Sequence, residues 1–317
     1  MGNQKHVIYG SGPLGAAVMR ALRKRAYPIQ IINRSGERSA DIPDDVEIIA
    51  GNAFDVQFNR EVLVGTEVVY QCAQPPYHQW ADKFRSLQDA ILEGAAANGA
   101  KLIAGENLYM YGDTDGKTLK EDLPYCAHTR KGRVRGEMAE ALLTAHRDGK
   151  VKVAMARGSD FYGPGVLSSA VGERVFASAI QGKSAQFMGD LDQPHTFTYI
   201  DDFGEAMVTL GEREEALGQA WHVPNDRPEI SQREFGKMIF QELGKPAKLS
   251  RMGRMMLWIG GLFIHEARES AEMLYEFEKP FVVDSSKFKQ AFALQPTPIQ
   301  EGIRRTIEWY RSYLADR

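Results

Sequence analysis

The chain has 317 residues, 43% of them hydrophobic and 26% charged, which is the composition of a globular protein able to bury a sizeable core. Its net charge of -3 is spread along the chain, so the basic stripe that binds a phosphate backbone is missing and we predict no nucleic-acid partner. Two cysteines, Cys72 and Cys126, are too few for a disulfide framework or a metal site, so we predict no metal.

Strands and helices are predicted to alternate through the first half of the chain. Short apolar runs predict strands at 6–9, 29–32, 46–50, 67–72, 101–104 and 151–156. Helical periodicity predicts helices at 14–25, 56–64, 80–98 and 131–146, the last with Val134, Met138, Ala141, Leu142 and Ala145 on one face. Strands separated by helices form parallel units with right-handed crossovers. We therefore predict an α/β fold in which residues 1–157 form a Rossmann-type doubly wound parallel sheet.

Shorter elements follow from residue 158 onward. Helices are predicted near 166–181, 231–243 and 298–313, and a strand at 220–223. These pieces predict a smaller mixed α/β substrate lobe over 158–317, with a segment of about 190–215 returning to the Rossmann domain.

Two segments bear on where the chain resides. The amino terminus, MGNQKHVIYG, runs into a strand without the apolar core of a secretory leader, so we expect a cytoplasmic chain. The longest apolar run, 255–264, is about half of the roughly 20 residues that a membrane-spanning helix requires. We predict a buried or interface helix there and no membrane partner. Because Arg251 and Arg254 precede the run, a membrane-surface segment is the alternative.

A glycine-rich turn, GSGPLG, lies between the first strand and the first helix. In this context Gly10 permits the tight turn, Gly12 lets the backbone approach a pyrophosphate, and Gly15 lets the helix close on the strand. Phosphate would meet the free amides and the positive end of the helix dipole. The turn therefore predicts a dinucleotide site, with these contact residues: Gly10, Ser11, Gly12, Pro13, Leu14 and Gly15.

The tip of the second strand decides which dinucleotide is expected. It reads Asn33, Arg34, Ser35, with no carboxylate before Glu37 to bond the 2′-hydroxyl of NAD. A guanidinium beside a hydroxyl and an amide suits a phosphate dianion, so we predict NADP ahead of NAD. The alternative is that Arg34 is a solvated loop charge.

Residues after the third and fourth strands complete the predicted cofactor contacts: Asn52, Ala53, Cys72 and Ala73. Asn52 is the candidate for a contact with adenine. A local cap in the strand-to-helix turn is its alternative. Buried thiols are the expected state of both cysteines.

Three further segments follow the glycine turn in order: ENLYMYG at 106–112, RGSDFYGPG at 157–165 and HTFTYIDDFGEAMV at 195–208. Together with the glycine turn, these three segments resemble the motifs of the extended and atypical short-chain dehydrogenase/reductase superfamily, which includes nucleotide-sugar epimerases and dehydratases. The resemblance covers nearly the whole chain. It implies an oxidoreductase or epimerase-type enzyme that acts on a small carbonyl or hydroxyl substrate.

The superfamily uses Ser or Thr together with a Tyr and a Lys spaced Y-x-x-x-K. The Tyr exchanges a proton with the substrate oxygen while a hydride moves, and the Lys lowers the Tyr pKa and holds the ribose. The resemblance places Asn107, Thr129 and Arg133 at these three positions. Arg133 can still contact the cofactor, but it keeps its proton near neutral pH, and the Thr129 hydroxyl is too weak an acid to replace a phenol.

The usual proton relay is therefore absent, and a substitute is expected nearby. Tyr109 is the first candidate, so the predicted catalytic set is Asn107, Tyr109, Thr129 and Arg133. Tyr111, Tyr125 and His128 are alternatives. Lys131 lies about 200 degrees around the helix from Thr129, so we expect it to face away from Thr129 unless the helix begins after it.

The segment QPPYHQW at 74–80 follows the fourth strand, at the carboxyl end of the sheet where ligands bind. It predicts an aromatic wall for a substrate. The predicted substrate contacts are Gln74, Tyr77, His78, Trp80, Tyr162 and His195. The alternative for Trp80 is that it packs at a helix start. Asp201 and Asp202, which follow His195 in sequence, also match a superfamily position near the substrate, and the alternative is that one of them caps a helix.

Two functions are consistent with these features. The first is the NADP-dependent enzyme with a non-standard proton donor. The second is a non-catalytic NADP-binding redox sensor or regulatory protein, similar to NmrA-like proteins. The loss of the Tyr and Lys favours the sensor, whereas a full second lobe with an aromatic pocket favours the enzyme. The resemblance also implies a homodimer through the helices at 80–98 and 131–146. The alanines at 95–97 fit close helix approach but could equally face the sheet.

Overall fold

A computed structural model describes residues 5–253 and 272–316. The chain divides into two compact units. The first unit comprises Met1–Met110, Arg130–Gly158 and Asp201–Val223, and the second comprises Tyr111–Thr129, Ser159–Ile200 and Pro224–Arg317. The apolar run predicted as a helix at 255–264, with Arg254 before it, lies outside the described residues.

Regular elements of the described chain follow in chain order. The strands are β1 (Lys5–Tyr9), β2 (Ile29–Asn33), β3 (Glu47–Ala50), β4 (Thr66–Gln71), β5 (Lys101–Glu106), β6 (Val153–Arg157), β7 (Phe161–Tyr162), β8 (Ala185–Met188), β9 (Pro194–His195), β10 (Thr198–Tyr199), β11 (Ala220–His222), β12 (Ile230–Ser231) and β13 (Leu249–Met252). The α-helices are α1 (Pro13–Lys24), α2 (Val56–Val62), α3 (Arg85–Ala97), α4 (Arg130–Arg147), α5 (Glu173–Ile180), α6 (Ile200–Glu212), α7 (Gln232–Glu242), α8 (Tyr275–Glu278), α9 (Ser286–Phe292) and α10 (Ile299–Ala315).

One parallel sheet organises the first unit. Its seven strands lie in the order β11-β6-β5-β4-β1-β2-β3. The chain runs outward from β1 in one direction and from β4 in the other, so the strand order reverses between these two neighbours. Ligands bind beside such a reversal, at the carboxyl ends of the strands. The predicted Rossmann-type α/β fold is confirmed.

Two predicted helices differ from the observed ones at their starts. The helix predicted at 80–98 opens with a π-helical turn, Trp80–Phe84, and continues as α3. The helix predicted at 166–181 starts only at Glu173. The glycines Gly163 and Gly165 before it adopt φ angles of +142° and +79°, which turn the chain before Gly172 caps α5.

Short strand pairs and helices build the second unit. Among its described residues β7 pairs with β10, β9 with β12 and β8 with β13. Its core contains aliphatic and aromatic side chains from these strands and from α5, α7 and α10. Its large aromatic side chains include Tyr162, Phe176, Tyr199, Phe235 and Tyr310. This is the mixed α/β character that the sequence predicts.

His6 lies inside the first unit beside two tyrosines. Its Nδ1 atom is 3.1 Å from the Tyr70 hydroxyl, and its ring centroid is 4.2 Å from that of Tyr27. Burial, helped by the positive charge of Lys101, lowers the pKa of His6 from 6.5 to about 4. Because this pKa is below the unfolded value, the unfolded chain binds the proton first. The stabilisation that the neutral His6 ring gives the folded protein is complete above pH 6.5 and is lost as the pH falls toward 4.

We expect protonation of His6 to remove about 2–3 kcal/mol of the free energy of unfolding between neutral pH and pH 4. Urea denaturation of the wild type and of His6→Gln across this range measures the contribution, because the carboxylates titrate alike in both proteins. The two stability curves should converge as the pH falls. Parallel curves would show that His6 is not the group responsible.

Candidate active site

The three glycines of the first turn have three different surroundings. Gly10 adopts φ +100°, and a Cβ there would lie 2.9 Å from the Ala73 nitrogen. A Cβ on Gly15 would overlap the carbonyl oxygen of Gly10, so α1 packs on the turn as closely as backbone allows. A Cβ on Gly12 would have nothing within 4 Å. These are the roles of tight turn, helix contact and open approach that a dinucleotide turn requires.

The start of α1 is open to an anion. Its N-cap is Gly12, no side chain caps it, Pro13 stands in the first turn and the first turn contains no acidic residue. The first amides of a helix have no intrahelical partner, and the helix dipole makes this end positive. The arrangement therefore fits the pyrophosphate of a dinucleotide.

Asn33 links the end of β2 to the glycine turn. Its Nδ2 atom donates to the Ser11 hydroxyl at 3.0 Å and to the Glu37 carbonyl at 2.8 Å. Its Oδ1 atom accepts from the Gly36 amide at 2.6 Å. These bonds hold the loop after β2 beside the turn, so the geometry supports a positioning role for Asn33.

Arg34 lies exposed on this loop next to Ser35. Within 5–253 and 272–316, its guanidinium has no hydrogen-bond or ion-pair partner, unlike Arg38, which donates to the Val46 carbonyl at 2.9 Å and also binds the Pro43 carbonyl. The Ser35 hydroxyl accepts from the Glu37 amide at 3.2 Å. A guanidinium without a partner is available to a phosphate.

The remaining predicted cofactor residues lie after β3 and β4. Asn52 accepts from the Phe54 amide at 3.2 Å, which is the local cap considered as its alternative role. The Ala53 carbonyl accepts from the Asn59 amide group at 2.9 Å. Burial raises the pKa of the Cys72 thiol, so Cys72 is a neutral thiol. Cys126 is exposed, contrary to the expectation that both thiols are buried.

An aromatic cluster lies after β4 and β5 in the first unit. Here the Tyr77 hydroxyl donates to the Tyr109 hydroxyl at 3.4 Å, and both side chains are half-buried. Trp80 is 6% exposed, packs 5.0 Å from Phe84 and donates from Nε1 to the Pro75 carbonyl at 3.1 Å. These contacts support the packing alternative for Trp80, while the two phenols are the polar groups of the cluster.

Asn107 shapes the turn that positions Tyr109. Its Oδ1 atom accepts from the Tyr109 amide at 3.3 Å, at the start of the 3₁₀ turn Tyr109–Tyr111. The carbonyl of the Asn107 side chain is therefore used by its own loop.

The buried face of α4 differs from the predicted one. Lys131 and Arg135, four residues apart, are 1% and 2% exposed, and the Lys131 ammonium lies 4.4 Å from the Tyr77 ring centroid. Arg133 is exposed, and Val134 is only half-buried. The helix starts at Arg130, before Lys131. Residues 131 and 135 share its buried face, whereas Arg133 lies on an exposed face.

A buried ionic group lies next to this cluster. The Arg157 Nε atom is 3.0 Å from Glu106 Oε2, and the Arg135 Nη2 atom is 3.6 Å from Glu106 Oε1. The Arg135 guanidinium also lies 4.8 Å from the Phe84 ring centroid. Sequence reasoning set Lys131 aside and missed Arg135, because a helix rich in cations is typical of a solvated surface. It also missed Glu106 at the end of β5. The spacing of four between the two cations was the available signal.

Other predicted site residues belong to the second unit. Thr129 lies just before α4 and is buried. Tyr162 is packed among aromatic rings, including Phe176 and Phe235, so its contacts are those of a core residue. His195 is buried, with its Nε2 atom 2.8 Å from an Asp160 oxygen.

Four further polar residues were considered for the substrate site: Gln74, His78, Asp201 and Asp202. Gln74 and His78 are exposed, and His78 contacts Gln79 through ring and amide nitrogens 3.1 Å apart. Asp201 and Asp202 occupy the first turn of α6, which begins at Ile200. Asp201 accepts from Arg20 Nε of α1 at 2.9 Å, so its observed partner is structural.

Metal-binding clusters and membrane-spanning helices are absent from the described residues. Within 5–253 and 272–316, no group of three or more His, Cys, Asp or Glu side chains is arranged to hold a metal. Nor does any helix in the same residues have the length and hydropathy needed to cross a membrane.

Two curated relatives, both from Arabidopsis thaliana, are 3beta-hydroxysteroid-dehydrogenase/decarboxylases. Isoform 2 is 28% identical over 198 residues, covering 55% of this chain and 34% of the relative. Isoform 1 is 27% identical over 304 residues, covering 85% of this chain and 65% of the relative. The chain thus spans about one third to two thirds of the length of these relatives.

Solved structures share the fold over nearly the whole chain. The dTDP-glucose 4,6-dehydratase of Streptomyces venezuelae, with NAD bound, has a TM-score of 0.79 at 16% identity and covers 98% of both chains. The UDP-glucose 4-epimerase of Thermotoga maritima, with UDP-glucose, has a TM-score of 0.80 at 15% identity and covers 98% of this chain and 100% of its own. At these identities the likeness shows the fold. Residues 7–223 match the model of one family, and on that match the chain belongs to the NAD dependent epimerase/dehydratase family.

Proposed function

We propose that this chain is an NADP-dependent oxidoreductase or epimerase-type enzyme that acts on a carbonyl or hydroxyl group of a small substrate, with Tyr109 as proton donor. The observation that carries the proposal is the Tyr109 phenol, half-buried after β5 and 3.4 Å from the Tyr77 hydroxyl in the unit that holds the glycine turn. The bound nicotinamide would supply or accept a hydride. The phenol would exchange a proton with the substrate oxygen.

Tyr109 suits this role better than the residues at the superfamily positions. The Thr129 hydroxyl is a weak acid, and Arg133 offers an exposed guanidinium, a group that does not serve as a general acid. Tyr111 is 2% exposed, with its ring 5.9 Å from that of Tyr125. A phenol is the strongest acid among these groups, which supports proton transfer through Tyr109.

The second candidate is a non-catalytic NADP-binding redox sensor or regulatory protein. The replacement of the superfamily Tyr and Lys by Thr129 and Arg133, together with the exposed position of Arg133, favours it. Tryptophan fluorescence measures NADPH binding, and absorbance measures NADPH oxidation across a panel of carbonyl compounds. The proposal of an enzyme requires both NADPH binding and NADPH oxidation. Tight binding without turnover on any carbonyl would favour the sensor.

We expect Arg34→Ala to weaken NADPH binding by about 10-fold or more and to leave NADH binding unchanged, because only NADPH offers a 2′-phosphate to the guanidinium. Titrations of both cofactors give the affinity ratio. Arg23→Ala is the matched control, since Arg23 is an exposed cation paired with Asp45 at 2.7 Å. An unchanged NADPH/NADH ratio in Arg34→Ala would contradict the assignment of NADP.

We also propose a cytoplasmic homodimer, as the superfamily resemblance implies. A groove of about 520 Å³ runs along α3 and α4, and its lining includes Arg85, Glu137, Glu140 and Lys150. Charges of both signs on one patch can pair across a two-fold axis. Light scattering after size-exclusion chromatography, repeated in high salt, would detect such a dimer and its dependence on ionic pairs.

A further inference from the structure

We propose that Lys131 and Arg135 are positioning residues that stabilise the phenolate form of Tyr109, with Tyr77 as the hydrogen-bonding link. This inference rests on the proposed function. During carbonyl reduction the Tyr109 O–H bond breaks, its proton passes to the substrate oxygen, and the phenolate keeps the electron pair. A proton from solvent then restores the phenol. The two cations would lower the free energy of the phenolate in between.

Lys131 acts on Tyr109 through Tyr77. The ammonium lies over the face of the Tyr77 ring at 4.4 Å, and the Tyr77 hydroxyl donates to the Tyr109 oxygen at 3.4 Å. A cation over an aromatic face is attracted to the ring, and when both are desolvated this attraction is strong. It withdraws electron density from the Tyr77 hydroxyl, which becomes a better donor to a negative oxygen.

Arg135 acts from the buried ionic group. Its Nη2 atom is 3.6 Å from Glu106 Oε1, beyond hydrogen-bond length, and its Nε atom has no hydrogen-bond partner among the described residues. Arg157 takes the other oxygen of Glu106 at 3.0 Å. One carboxylate thus faces two guanidiniums. All three side chains are buried, so water does not screen their charges.

Tyr109 is one of the charged groups that act on Arg135. Burial lowers the pKa of Arg135, the charge of Glu106 raises it, that of Arg157 lowers it, and that of Tyr109 raises it. This coupling between two sites is mutual, so a cation stabilised by the phenolate stabilises the phenolate in turn. Tyr77 and Arg135 are the titratable groups that act on Tyr109 here. Lys131 lies over the Tyr77 ring, and Glu106 and Arg157 belong to the ionic group of Arg135.

A direct titration of Tyr109 tests the inference without turnover. We suggest 3-fluorotyrosine incorporated at position 109 and followed by fluorine NMR against pH. Lys131→Met and Arg135→Met should each raise the pKa of this phenol by about one pH unit. Lys131→Arg should restore most of the difference, because it returns the charge. Arg147→Met, which removes an exposed cation from the same helix, should change nothing.

An unchanged pKa at position 109 in a folded Lys131→Met protein would overturn the inference. Arg135→Met leaves Glu106 with one of these two guanidiniums and is the variant at risk of unfolding. If Arg135→Met does not fold, the result for Lys131→Met decides the test. In active protein, the alkaline limb of the kcat profile should shift with the phenol pKa. Failure of the proposed function has a different signature: no NADPH affinity or turnover, with the fluorine titration still sensitive to both cations.

Discussion

Tyr109→Phe is expected to lower kcat for carbonyl reduction by about 10²–10⁴-fold, the usual contribution of a positioned general acid. The variant keeps the ring, so its packing 6.1 Å from the Trp80 centroid is preserved, and NADPH affinity should stay within about 2-fold because the phenol is not a phosphate contact. Loss confined to kcat would mean that the phenol acts in the transition state.

Steady-state kinetics with stopped-flow detection of NADPH oxidation measures this effect. Tyr27→Phe is the matched control: it removes a phenol of the same unit, whose hydroxyl contacts Glu212 at 3.1 Å, and should leave kcat unchanged. A Tyr109→Phe enzyme with wild-type kcat would remove Tyr109 from the mechanism. Tyr111, Tyr125 and His128 would then be the next candidates.

Gly15→Ala is expected to destabilise the protein by about 3 kcal/mol and to abolish NADPH binding. The added Cβ would overlap the Gly10 carbonyl oxygen, which is backbone and cannot rotate away as a side chain could. The start of α1 must therefore move off the turn, taking its amides away from the pyrophosphate position.

Gly12→Ala separates the two parts of this prediction. Its Cβ meets nothing within 4 Å, and Gly12 has φ -73°, which alanine adopts without strain. Stability should therefore change by less than about 0.5 kcal/mol, while NADPH affinity falls because the methyl group occupies the approach to the pyrophosphate. Thermal unfolding and NADPH titration on both variants check the pair. Wild-type affinity in Gly12→Ala would place the dinucleotide elsewhere.

Local patterns in the sequence were enough for the fold and for the cofactor turn. The apolar runs at β1, β2, β4 and β5 predicted buried parallel strands, because such strands are covered on both faces and so read as continuous apolar segments. The three glycines predicted the turn because backbone clearance depends on residues adjacent in the chain. Their surroundings agree with that reasoning at each position.

The proposed proton-transfer group depends on contacts between residues far apart in sequence. By itself, the sequence determined that a strand, a glycine turn and a helix open the chain. The resemblance implies that Thr129 and Arg133 stand at the superfamily Tyr and Lys positions. Only the tertiary structure decided that Lys131 and Arg135 are buried, whereas Arg133 is exposed. A buried cation needs partners to offset its desolvation. Those partners are rings and a carboxylate on other elements, which no periodicity along α4 can reveal.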